Sequence, residues 1–185
     1  MPVTVSKSGG GAKVPEGMHE SVCVGIYDIG THESKGTFAG KLQRLLIIQW
    51  ETEETLIITQ RYTASLSEKA NLRKVLAMWR GRDFTPEELS GFHLGKVIGK
   101  HCVVQIQHKD DWANVTAVLP SKATWEPKNP LVEYSIDDKT IPDGTPDWIR
   151  KQIMASTEKL NGEQSQEQHA TDGSGVPADD SSTPF

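Results

Sequence analysis

Cysteine is scarce in this chain: Cys23 and Cys102 are its only two in 185 residues. Each lies inside an apolar run, and the pair reads as buried free thiols of a reducing compartment rather than a disulfide framework. A bridge between them stays open if their strands pair. Long apolar runs are missing as well, and none approaches the length that spans a bilayer. The N-terminus carries no signal-like core, since Ser6 to Gly11 is Ser and Gly interrupted only by Lys7. A soluble, cytoplasmic protein is expected. Catalytic signatures are absent too. Gly95-Lys96 and Gly99-Lys100 lack the rest of a phosphate-binding loop, and neither His-x-x-x-His nor Cys-x-x-Cys occurs. His101, Cys102 and His108 share one strand, but His101 and Cys102 face opposite ways, which disfavours a common metal site. Glu51, Glu53 and Glu54 cluster on a hairpin and read as a solvated turn, with a cation site for nuclease chemistry as the distant alternative. No enzyme, cofactor or metal is expected.

Basic residues are missing from the C-terminal segment. From Asn161 onward there are five acids (Glu163, Glu167, Asp172, Asp179, Asp180) and no Lys or Arg. The chain has 20 basic and 25 acidic residues, so the first 160 residues are balanced and the formal charge of −5 belongs to the tail. Its Gly, Ser and Gln content, with few large apolar groups, predicts disorder over 161–185. Within the neutral body, nine Lys or Arg lie between Arg61 and Lys109 against four acids. That excess permits a basic stripe for nucleic acid without demanding one.

The rest is β-rich. Residues 1–17 read as a flexible arm. Strands are predicted at Ser21 to Ile29, Lys41 to Trp50 and Leu56 to Tyr62, from alternation bounded by turn residues. A helix follows, with Ser65 and Glu68 as a capping box and Leu72, Val75, Leu76 and Trp79 as its apolar stripe, stopped by Gly81. Thr85-Pro86 begins a short second helix. Two more strands are predicted at His101 to His108 and Trp112 to Leu119. A Pro-punctuated extension over 121–160 holds a last helix beginning near Thr145 and carrying Trp148, Ile149, Ile153 and Met154. Three strands, a helix and two strands is the element order of the OB-fold, a five-stranded Greek-key barrel, here assigned to residues 18–120. Another small barrel or sandwich with an inserted helix is the alternative.

An OB barrel holds oligonucleotides on strands two and three and on the loops joining strands one to two and four to five. Non-specific binding needs cations along the phosphates and aromatic faces under the bases. Lys35, Phe38, Lys41, Arg44, Arg61, Tyr62, Lys109 and Trp112 fall at those places, and Arg80, Arg82 and Phe84 extend them. Trp112 shares a strand face with Asn114 and Thr116, opposite Ala113, Val115 and Ala117, so its indole is expected outside the barrel. Trp50 and Trp79 are assigned to the core, and Trp125 to pinning the Pro-rich connection.

The chain closes on Asp179-Asp180-Ser181-Ser182-Thr183-Pro184-Phe185. This segment resembles the tail of bacterial and phage single-stranded DNA-binding proteins, which ends in acids followed by Pro-Phe. The run from Tyr62 to Phe84 also looks similar to small replication-associated proteins of phages. The barrel starts later than in the main bacterial family, so the likeness is to a phage or divergent type; the tail also departs from that family, in that three residues separate its acids from Pro184. The resemblance implies single-stranded DNA binding in DNA replication, recombination or repair, with Asp179, Asp180, Pro184 and Phe185 recruiting partner proteins. A strand-annealing mediator and an OB-like protein–protein adaptor remain the alternatives. Homo-oligomers are compatible with either.

Overall fold

The computed structural model describes residues 14–110 and 112–162. Alternation builds the strands as expected, most plainly in β3 (Ile57–Thr63), where Ile58 and Tyr62 turn inward while Ile57, Arg61 and Thr63 face solvent. The other strands are β1 (Gly17–Glu33), β2 (Leu42–Thr52), β4 (His101–Lys109), β5 (Trp112–Pro120) and β6 (Val132–Tyr134). They form one sheet in the order β3-β2-β1-β4-β5, with antiparallel neighbours throughout, and β6 adds in parallel to β1. The protein is therefore mainly β. Among the described residues its sheet has six strands, one more than expected, and no ladder joins β3 to β5. Among the described residues no helix is long and apolar enough to cross a membrane.

The sheet curls around a core. Cys23, Ile26, Leu46, Ile48, Trp50, Ile58, Tyr62, Val104, Ile106 and Val118 meet inside it, and helix α1 (Asn71–Arg80) adds Leu72, Val75, Leu76 and Trp79. Trp50 and Trp79 are core residues, as expected, and pack 6.3 Å apart. Gly81 ends α1 at φ +69, a left-handed conformation that suits a residue without Cβ. The start of α1 is a correction. Ser65 and Glu68 make no capping box. Ser65 Oγ instead accepts from Ser67 N at 3.2 Å, a local bond that competes with helix, and α1 begins only at Asn71. The reciprocal box stands at Thr85 and Glu88, where Pro86 opens α2 (Pro86–Ser90).

A second core lies on the opposite face of β1. Bulges near Cys23/Gly25 and Asp28/Gly30 change which side chains point each way. Tyr27 and Ile29 thereby join Ile47, Tyr134 and Ile136, and helix α3 (Asp147–Met154) covers them with Ile149 and Ile153. Residues 157–162 are also helical. Gly30 sits at φ +80 with Ser156 so close that an added Cβ would lie 2.6 Å from it, so the extension is fitted against this turn.

Glu51 is a further correction. It is no solvated hairpin residue but lies fully buried in β2, whereas Glu53 and Glu54 are exposed. Its carboxylate accepts from Lys128 N, Asn129 N and Asn129 Nδ2, each at 2.8 Å. Burial alone would raise its pKa, but these three donors outweigh that and hold it below the ordinary carboxylate value. It latches the Pro-rich connection to the sheet. Trp125 does the same further along, its carbonyl hydrogen-bonded to His101 Nε2 at 2.8 Å. At the other end the chain is anchored from Val14 on: Val14 is buried, its carbonyl meets His108 Nε2 at 2.8 Å, and Glu16 accepts from His108 N.

Candidate nucleic-acid interface

The free edges of β3 and β5 face one another across a seam. A hydrogen bond from Val115 N to Gln60 Oε1 at 3.2 Å crosses it. A cleft of about 500 Å³ opens there, lined by Ile57 and Thr59 of β3, Trp112 and Ala113 of β5, and Trp148 of α3. It runs on past Arg61, Asn114 and Gln152. Through Arg61 and Gln152 it joins a third hollow that holds Lys35 and Lys151. These adjoining hollows place the two indoles, with Asp143, at one end and Lys35, Arg61 and Lys151, with Glu33, at the other.

Strand alternation places Trp112 here. Ala113 and Val115 pack against the core, which sends Trp112 outward, 75% exposed. A bulge at Gln105/Ile106 then shifts the pattern, so that Val118, rather than Ala117, is the next inward residue of β5. Trp148 is 45% exposed because α3 spends its buried stripe on Ile149 and Ile153. Two large apolar rings left in solvent beside one cleft are an uncommon surface feature.

Of the expected DNA-binding residues, Lys35, Arg61 and Trp112 line this groove. Lys109 pairs directly with Trp112 across the β4–β5 hairpin and is exposed. Lys41 is exposed just before β2 but lines none of the three hollows, and only the backbone of Phe38, in a short 3-10 turn, is described. Three expectations are corrected. Tyr62 turns its ring into the core, where burial raises its hydroxyl pKa and leaves the hydroxyl without a hydrogen-bond partner. Arg44 is held by Asp28, Nε to Oδ2 at 3.1 Å, with Asp137 and Glu158 adding negative charge nearby, so it is no free phosphate contact. Arg80 and Arg82 do not extend this groove but lie apart from it, near the far end of β5, where they share Glu88. Asp179, Asp180, Pro184 and Phe185 lie outside the described residues.

The groove also contains residues that sequence reasoning passed over: Trp148, Lys151 and Gln152. Trp148 had a legible signal, since it falls outside the Ile149/Ile153 stripe. That α3 docks beside the seam had none. Among the described residues no cluster of His, Cys, Asp or Glu is arranged to hold a metal. Cys23 and Cys102 are free and buried, and burial pushes the Cys23 thiol up to about 12 and the Cys102 thiol up as well, away from reactive thiolate chemistry. No protein-family model matches the chain, and no curated protein matches it.

Proposed function

We propose that this protein binds single-stranded DNA without sequence preference, in the groove between β3 and β5. The observation that carries the reading is the pairing of Trp112 and Trp148 on one cleft, continued by Arg61, Lys35 and Lys151. Indole faces stack any base, and cations spaced along a groove follow phosphates. The sheet order and the position of α1 between β3 and β4 support an OB-type barrel opened along its β3/β5 seam. In this reading the acidic segment 163–185 recruits replication, recombination or repair proteins, and no catalytic step is involved.

Tryptophan-fluorescence titration with oligo-dT tests the reading. Saturable quenching that weakens with salt and is reduced in Trp112→Ala supports it. Negligible affinity at low salt would replace it with a protein–protein adaptor role for the same groove. An annealing assay with complementary strands separates simple coating, which slows pairing, from annealing activity.

A further inference from the structure

A second cationic pocket lies at the other end of β5. Trp112 begins that strand and Pro120 ends it, about 26 Å away at the usual rise per residue. Gly81 abuts Pro120, and Cys102, two residues after Lys100, pairs with it. There Arg80, Arg82, Lys96 and Lys100 line a hollow of about 450 Å³ together with Phe92. Glu88 is the one carboxylate among the lining residues, and both arginines already share it.

Packing fixes this arrangement. The Arg80 guanidinium lies 4.5 Å from the Phe84 ring centroid and 5.1 Å from that of Phe92, and those rings meet edge to face. Arg80 Nη1 is buried without a hydrogen-bond partner. Lys96 Nζ stands 6.0 Å from the Phe92 centroid, and Lys96 and Lys100 are exposed. Four cations held around one hollow repel one another, and Glu88, with Asp83 acting on Arg80 from beside the pocket, offsets only part of that charge. An anion bearing several negative oxygens relieves the repulsion.

We propose that this pocket is a second phosphate-binding station for the same nucleic-acid strand, engaged only when the strand is long enough to leave the β3/β5 groove. The proposal rests on the single-strand-binding reading of that groove. Its chemistry is charge-assisted contact to backbone phosphates, with Lys96 and Lys100 as the mobile cations and Arg80 as the fixed one.

The test compares oligo-dT of about 4 nucleotides, the lower end of the range for one OB groove, with oligo-dT of about 30. The variant is Lys96→Gln combined with Lys100→Gln in the full chain, and both side chains are exposed, so folding is preserved. The short strand is expected to bind the variant within about twofold of wild type. The long strand is expected to lose about tenfold, with a salt slope shallower by about 1.4, two contacts at about 0.7 each on a single strand. A long strand that binds the variant with unchanged affinity and slope overturns this station while leaving the groove standing. Equal losses for both lengths also overturn it, because the cations would then belong to the groove. If wild type binds neither length at low salt, the groove reading itself falls and this proposal with it.

Discussion

Trp112 and Tyr62 show how much one residue's direction decides. Both are aromatic and both sit on strands that flank the seam, yet Tyr62 is buried and Trp112 is exposed. Stacking of a base on an aromatic side chain contributes about 1–3 kcal/mol, so Trp112→Ala should weaken oligo-dT binding about tenfold or more, read by anisotropy. Its thermal midpoint should hardly move, because the indole contributes little to the core. Tyr62→Phe should leave affinity unchanged and stability equal or slightly higher, since the buried hydroxyl lacks a hydrogen-bond partner. A loss of DNA binding in Tyr62→Phe with the fold intact would return that residue to the interface.

At the scale of elements, α3 has two jobs on two faces. Ile149 and Ile153 close the second core, and Trp148 walls the groove. Ile149→Ala should therefore cost roughly 2–5 kcal/mol of stability, measured by denaturant unfolding. Trp148→Ala should instead cost affinity and little stability. The connection leading to α3 depends on Glu51. Its folded pKa is depressed below the ordinary value of 4.5, so its contribution is fully present above that value and is lost as pH falls through the lower folded pKa. Wild type should lose thermal stability as pH falls below about 4.5 more steeply than Glu51→Gln, which keeps the shape without the titration. Parallel melting curves for the two proteins across that range would mean the latch contributes nothing.

For the whole molecule, charge is divided by region rather than by sign of the total. The first 160 residues balance, and the acids that set the formal −5 lie beyond them. Binding in the groove should weaken linearly in log salt, and Arg61→Gln should lower the slope by about one, as expected for one phosphate contact. Removing residues 163–185 should preserve or raise affinity for DNA while abolishing partner capture. Loss of DNA binding in that truncated protein would contradict the division of labour between groove and acidic segment.

Local pattern made much of this protein legible. The alternation of β3, the stripe of α1 and the Thr85-Pro86 start all obey rules that act within a few residues. Trp112 was readable for the same reason, because period two fixes its side of β5 once Ala113 and Val115 go inward. Tertiary structure decided what such rules cannot reach. The extension returns to pair β6 with β1 and to bury Glu51, so a cluster that looks solvated in sequence becomes an internal latch. It also sets Trp148 opposite Trp112, residues 36 positions apart whose meeting depends on how the sheet curls and where α3 docks. The sequence by itself determined the strands, the helix stripe and the outward indole, because periodicity is local. Only the tertiary structure decided which aromatics and cations share a groove, because contacts between distant segments depend on packing that no local period encodes.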